Sequence, residues 1–137
     1  MRYLLDANAV IELLNQPDGT VLRRVRAHEP SDIGLSAIAV HELYYGAFKS
    51  HRQERNVGLV DGLHFEVVEF DREDGRHAGE IRAALAKRGT PIGPSDVLIA
   101  GQAKARDLTL VTANVGELRR VDGLTVEDWS VEDWSRE

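Results

Sequence analysis

Three acidic residues stand where the sequence would otherwise continue a buried apolar segment. Asp6 follows YLL, Glu42 lies within AVHELYYG, and Asp96 lies within GPSDVLIAG. A carboxylate among buried apolar side chains is costly unless it is paired or bound to a cation. Three such acids from well-separated segments indicate one shared partner, and carboxylate oxygens favour a hard divalent ion such as Mg²⁺ or Mn²⁺. The residues therefore predict metal-assisted cleavage of a phosphodiester.

Each acid taken alone also has a simpler interpretation. Asp6 and Asp96 can each be the N-cap of a helix, and Glu42 can be a solvated helix residue. Asp6 can also be the aspartyl nucleophile of a phosphatase. Against that, Asn8 stands where such enzymes generally need a second aspartate. The metal hypothesis therefore depends on a fold that brings the three acids together.

The segments that must position these acids alternate between strand and helix patterns. Apolar runs predict strands at residues 2–6, 32–36, 64–71 and 108–112, with a fifth at 124–129. Helical spacing predicts helices over 7–15, about 20–28 with Asp18 as the cap, 36–48, about 50–62, 71–89 and 95–107. This alternation predicts an α/β fold with a parallel sheet covered on both faces. Ligands of such sheets bind beyond the carboxyl ends of the strands, where Asp6 is predicted to lie.

Composition limits the class of protein. The 137 residues suit one domain, predicted over 1–129, followed by a C-terminal tail at 130–137 that holds the second VEDWS copy. The net charge of −6 argues against a protein that coats nucleic acid by bulk charge. With no cysteine, a disulfide scaffold, a thiolate zinc site and a cysteine nucleophile are excluded. Neither a signal peptide nor a membrane span is expected, so the predicted location is the cytoplasm.

Three longer segments carry a family resemblance. LLDANAVIEL, LSAIAVHELYYGA and GTPIGPSDVLIAGQAKARDLTLVTANVGEL, in this order, resemble the PIN-domain ribonucleases, and more narrowly the VapC-type toxins of bacterial toxin–antitoxin pairs. The resemblance implies a PIN-like α/β/α sandwich with a parallel sheet of four to five strands. It also implies an Mg²⁺- or Mn²⁺-dependent endoribonuclease that cuts tRNA or rRNA. The implied partners are a second copy of the chain, as a homodimer, and a cognate VapB-type antitoxin whose tail enters the active-site groove.

The resemblance also assigns site residues. Asp6, Glu42 and Asp96 match the family's acids, which implies that they hold the metal ion and are catalytic. Asn114 stands in the turn where many relatives have a fourth acid, and Glu117 can supply that charge, so both join the implied catalytic set. Ala7 replaces a threonine that usually follows the first acid. The departures at Ala7 and Asn114 leave one alternative, a PIN-like binding module with impaired catalysis. A second alternative, a free-standing RNA-processing nuclease, applies if no antitoxin gene lies just upstream.

Overall fold

The computed structural model describes residues 1–131 and contains one five-stranded sheet. The strands are β1 (Tyr3–Leu5), β2 (Ile33–Ser36), β3 (Glu66–Val68), β4 (Thr109–Val111) and β5 (Val126–Glu127). They lie in the order β3-β2-β1-β4-β5, and every pair is parallel. The predicted α/β fold with a parallel sheet is confirmed.

Seven helices connect and flank the strands in this part of the chain. They are α1 (Ala7–Asn15), α2 (Thr20–Arg26), α3 (Ala37–Lys49), α4 (Gln53–Asp61), α5 (Arg72–Lys87), α6 (Pro94–Ala105) and α7 (Val115–Leu118). Helix α3 packs on α4, and α5 packs along α6. Because crossovers between parallel strands are right-handed, α1 to α4 cover one face and α5 to α7 the other.

Local chemistry explains where the main helices begin and end. The Ser36 hydroxyl accepts a hydrogen bond from the amide of Ile38 at 3.1 Å and caps α3, at the point where the sequence predicted this helix to begin. At the start of α5, Asp71 and Asp74 form a reciprocal capping box. Gly89 follows α5 with a φ of +69°, a left-handed conformation that suits glycine, so this predicted stop is also confirmed.

Two local predictions were wrong, and one short helix was not predicted. Asp18 does not cap α2, since Gly19 is the N-cap and no side chain bonds there. The strand predicted over 64–71 is confined to Glu66–Val68, because the chain turns at once into the capping box of α5. The four-residue α7 was missed, since one turn of helix is too short to show a period of 3.6 residues.

The core lies on both faces of β1 and β4 and extends to the end of the described chain. Leu4, Leu5, Leu110 and Val111 are fully buried. Trp129 is buried against Tyr3, with ring centroids 5.0 Å apart. Residues 132–137 lie outside the described residues, so the predicted tail at 130–137 and its boundary stay predictions. No helix within residues 1–131 is both long and apolar enough to cross a membrane.

Candidate active site

The strand order places a switch point between β1 and β4. From β1 the chain continues to β2 on one side, whereas β4 joins β1 on the other side. Leu5 pairs with Val111, and the amide of Asp6 donates to the carbonyl of Val111 at 3.2 Å. Asp6 and Thr112 are therefore the first residues after two adjacent strand ends, and they lie side by side in the crevice where open α/β sheets bind their ligands.

Asp6 combines a structural and an electrostatic role at this crevice. It is the N-cap of α1, and its Oδ1 accepts a hydrogen bond from the amide of Ala9 at 2.9 Å. Burial raises the pKa of Asp6 to about 6, although hydrogen bonds from Thr112 and Ala9 oppose the shift. The charges of Asp96 and Glu42 raise it further. Asp6 is therefore the N-cap of α1, as one interpretation of the sequence held, and it also experiences the charges of Asp96 and Glu42.

Asp96 and Glu42 reach the same crevice from two helices. Asp96 is the third residue of α6, behind the N-cap Gly93, so the interpretation of Asp96 as an N-cap is wrong. A Cβ at Gly93 would lie 3.4 Å from Asp96 Oδ2, a close approach that glycine permits. Glu42 is half-buried in α3, and burial followed by the charge of Asp96 raises its pKa. The three predicted acids thus act on one another electrostatically.

Asn114 brings a fourth carboxylate into the cluster. Its Nδ2 donates to Asp96 Oδ2 at 2.9 Å and to Glu117 Oε2 at 2.7 Å. The pKa of Asp96 is raised by burial, lowered by the Asn114 hydrogen bond, and raised by the charge of Glu117. All five predicted site residues therefore lie at one edge of the sheet, and we call Asp6, Glu42, Asp96 and Glu117 the acidic cluster.

Comparison with known proteins identifies the family. The PIN domain family matches residues 3–124. A tRNA(fMet)-specific endonuclease VapC of Shigella flexneri is 38% identical, and the alignment covers 95% of this chain and 99% of the relative. The chain is a PIN domain of the VapC group.

Solved structures of this group superpose closely on the PIN domain. A DNA-bound VapBC structure from Salmonella typhimurium matches with a TM-score of 0.89 at 39% identity, covering 94% of this chain and 98% of the other. VapBC2 from Rickettsia felis, bound to a promoter DNA fragment, matches with a TM-score of 0.87 at 32% identity, covering 94% and 99%. The PIN-like sandwich expected from the sequence is confirmed.

Thr112 is the site residue that the sequence reasoning missed. It is 1% exposed, its hydroxyl accepts from the amide of Asn114 at 3.0 Å, and its side chain is hydrogen-bonded to Asp6. A hydroxyl group is thus present next to Asp6 in this PIN domain although Ala7 has none. The sequence pattern could have identified Thr112, because in LTLVT a polar residue follows a buried apolar strand, as Asp6 does in YLLD.

The donor set of the acidic cluster fits a hard divalent ion. Its ligands would be carboxylate oxygens, and burial is the largest cause of the raised pKa values of Asp6, Glu42 and Asp96. Within residues 1–131, no group of three or more His, Cys, Asp or Glu side chains is arranged to hold a metal ion.

Two cavities lie on either side of α1, next to the acidic cluster. A cavity of about 260 Å³ lies between α1, α3 and α4, and its wall includes Glu42 and the exposed apolar residues Ile11 and Leu59. A second cavity, of about 290 Å³, reaches Thr112 and is lined by both apolar and polar residues, the latter including Glu12 and Asp128. Each cavity thus touches one residue of the site, Glu42 in the first and Thr112 in the second.

Proposed function

We propose that this chain is a divalent-cation-dependent endoribonuclease that cuts RNA of the translation machinery, with tRNA as the first substrate to test and rRNA as the second. The observation that carries the proposal is the convergence of Asp6, Glu42 and Asp96, with raised pKa values, at the switch point of a VapC-group PIN domain. The relatives support the reaction and the substrate, since the Shigella flexneri protein is named a tRNA(fMet)-specific endonuclease. Its place of action is proposed to be the cytoplasm.

Each residue of the site has a defined part in this proposal. Asp6, Glu42 and Asp96 would hold one Mg²⁺ or Mn²⁺, which supplies Lewis-acid activation of water and offsets charge on the phosphate when bound. Asp6 is fixed for this purpose by the amide of Ala9 and by Thr112. Asp96 is fixed by Asn114. Attack of water on the phosphorus with cleavage of the bond to the 3′ oxygen would leave a 5′-phosphate and a 3′-hydroxyl.

Cleavage of bacterial RNA by the purified chain tests the proposal. We expect discrete cuts with Mg²⁺ that are lost with EDTA and lost in Asp6→Ala, and mapped ends that carry a 5′-phosphate. Asp18→Ala is the matched control, because Asp18 is exposed and caps no helix. Cuts that persist in EDTA or in Asp6→Ala would contradict the assignment. A folded, ion-binding protein that cuts neither tRNA nor rRNA would favour a binding module.

We also propose that the chain forms a homodimer and is restrained by a VapB-type antitoxin. VapBC complexes among the solved relatives support the partner. The apolar cavity that ends at Glu42 is the surface we assign to the antitoxin tail. Light scattering tests the dimer, and inhibition of RNA cleavage by the co-expressed antitoxin tests the restraint. Leu59→Lys should weaken inhibition, whereas Val67→Lys, at an exposed valine of β3, should not.

A further inference from the structure

Two exposed arginines, Arg88 and Arg120, lie on the segments next to the acidic cluster, and we call them the basic rim. Arg88 begins the loop between α5 and α6, and Asp96 is the third residue of α6. Arg120 follows α7, and its amide donates to the carbonyl of Glu117 at 3.0 Å. Residues three apart on a helical turn have Cβ atoms about 5–6 Å apart. The basic rim therefore borders the acidic cluster on the side of Asp96 and Glu117.

Backbone carbonyls hold both guanidinium groups of the basic rim. Arg88 Nη2 donates to the carbonyl of Arg120 at 2.8 Å, and Arg120 Nη1 donates to the carbonyl of Pro91 at 3.1 Å. Because a carbonyl is neutral, these bonds orient the side chains without cancelling their charge. A guanidinium has five N–H donors, so each group can bind a further ligand. Asp122 lies 3.5 Å from Arg88 Nη1, but its side chain is 88% exposed, so it compensates that charge only weakly.

Two arginines elsewhere in the fold bind carboxylates instead of carbonyls. Arg106 lies 3.0 Å from the buried Asp74, and Arg24 lies 3.5 Å from Glu127. The basic rim also belongs to a region of positive charge, since residues 81–95 include no acid although the whole chain has a net charge of −6. Oriented cations without a buried carboxylate partner are suited to bind an anion.

We infer that the basic rim binds phosphates of the RNA backbone and holds the strand over the acidic cluster. RNA is a polyanion that the acidic cluster and the net charge of −6 repel, so its affinity must come from cations beside the site. Guanidinium groups bind phosphate oxygens in a bidentate geometry. Side chains that are already oriented lose less conformational entropy when the ligand binds. The inference rests on the proposed function for the nature of the substrate.

The affinity for RNA at several salt concentrations tests this inference. Fluorescently labelled bacterial tRNA is titrated in EDTA with the wild type, Arg88→Gln and Arg120→Gln, since glutamine keeps an N–H donor and removes the charge. We expect each variant to weaken binding about tenfold at low salt and to reduce the slope of log affinity against log salt by about 1. Arg72→Gln is the matched control and should change neither, because Arg72 is exposed at the start of α5, about 24 Å from Arg88 along the helix axis.

The salt slope separates phosphate binding from a purely structural role. Arg120→Lys keeps the charge and should keep the wild-type slope, whereas a structural role of the contact with Pro91 would leave all slopes equal. In the cleavage reaction, Arg120→Gln should raise KM and leave kcat unchanged. Unchanged affinity in both glutamine variants, a loss of affinity with an unchanged slope, or an equal loss in Arg72→Gln would each overturn the inference.

A second measurement uses the wild type alone, in case the variants do not fold. Phenylglyoxal modifies exposed arginine side chains, and mass spectrometry identifies the modified positions. Saturating tRNA should protect Arg88 and Arg120 from modification and should leave Arg72 unprotected. Equal modification with and without tRNA would overturn the inference. Protection without cleavage of RNA would contradict the proposed function alone, whereas cleavage with wild-type KM in both glutamine variants would contradict the inference alone.

Discussion

Two polar groups of side chains in this fold compensate buried charge to very different degrees. The first group, which we call the buried clamp, consists of Ser36, Asp74, Gln102 and Arg106. Gln102 is fully buried and Asp74 is 1% exposed. Gln102 accepts from Ser36 Oγ at 2.6 Å and donates to the carbonyls of Val68 and Glu69 at 2.8 and 3.0 Å. Arg106 binds both carboxylate oxygens of Asp74, at 3.2 and 3.0 Å. In this group a donor meets each acceptor and a cation meets the buried anion.

The acidic cluster has no such balance. Within residues 1–131, neutral donors form the hydrogen bonds of Asp6 and Asp96, and burial raises the pKa of both. A cationic side chain beside these carboxylates would stabilise the folded state, as Arg106 does beside Asp74. Uncompensated buried charge is typical of functional sites, where stability is given up for ligand binding. The contrast between the two groups leads to four predictions.

The largest effect is expected in the buried clamp. Gln102→Leu should lower the free energy of unfolding by about 3 kcal/mol or more, because it leaves a hydroxyl and two carbonyls without their buried partner. Urea unfolding measures this loss. Gln53→Leu is the control, since Gln53 also donates to a carbonyl but at an exposed position. A loss below about 1 kcal/mol in Gln102→Leu would show that water replaces the amide.

In the acidic cluster, removal of a buried charge should raise the free energy of unfolding, whereas the change in the buried clamp lowers it. The pKa of Asp6 is about 6 in the folded chain and 3.8 as its ordinary value, so the folded state binds the proton more tightly. Ionisation therefore costs folding stability as pH rises from about 4 through 6, and the cost is fully present above that range. Asp6→Asn removes the cost and keeps an N-cap oxygen. We expect it to stabilise the metal-free protein at pH 7.5 by about 1–3 kcal/mol.

Thermal unfolding in EDTA across pH measures this effect. The gain from Asp6→Asn should shrink as pH falls toward 4, where the wild-type carboxyl is protonated in the folded state. A variant less stable than the wild type at pH 7.5, or a gain that does not change with pH, would contradict the assignment of buried, uncompensated charge to Asp6.

A bound divalent ion should compensate the negative charge of the acidic cluster, as Arg106 compensates the charge of Asp74, and should therefore stabilise the folded state. Mn²⁺ at one hundred times its dissociation constant should stabilise the folded wild type by about 2.7 kcal/mol. A rise in the melting temperature that EDTA reverses measures the effect. Asp6→Asn should show little or no rise. An equal rise in the two proteins would place the ion elsewhere.

The smallest effect is expected at the exposed edge of the buried clamp. Asp71 lies 3.3 Å from Arg106, and a backbone hydrogen bond from Asp74 and the Arg106 charge lower its pKa. This contribution is present above pH 3.8, the ordinary pKa of the group, and is lost as pH falls through the lowered value. Asp71→Asn keeps the cap, so the melting temperature should fall slightly at pH 7 and not at low pH. A large fall at pH 7 would show that Arg106 is held mainly by Asp71 and not by Asp74.

The acidic cluster was easier to find from the sequence than the buried clamp. Asp6, Glu42 and Asp96 interrupt apolar runs, and that anomaly is visible without a structure. Gln102 also interrupts one, in VLIAGQAKA, but a single glutamine on a helix is equally typical of a wet surface. Its role depends on the carbonyls at the end of β3 and on Ser36, which lie 33 to 66 residues away in the chain. No local pattern encodes such a partner.

The sequence by itself determined the alternation of strands and helices, the caps at Ser36 and Gly89, and the three acids that mark the site, because each follows from side-chain type and short-range spacing. Only the tertiary structure decided that β4 lies beside β1, which brings Thr112 to Asp6, and that Asn114 bonds Asp96 and Glu117. It also decided the pKa shifts. Burial and the distance between charges depend on how the whole chain packs, and neighbouring residues in the sequence cannot fix either.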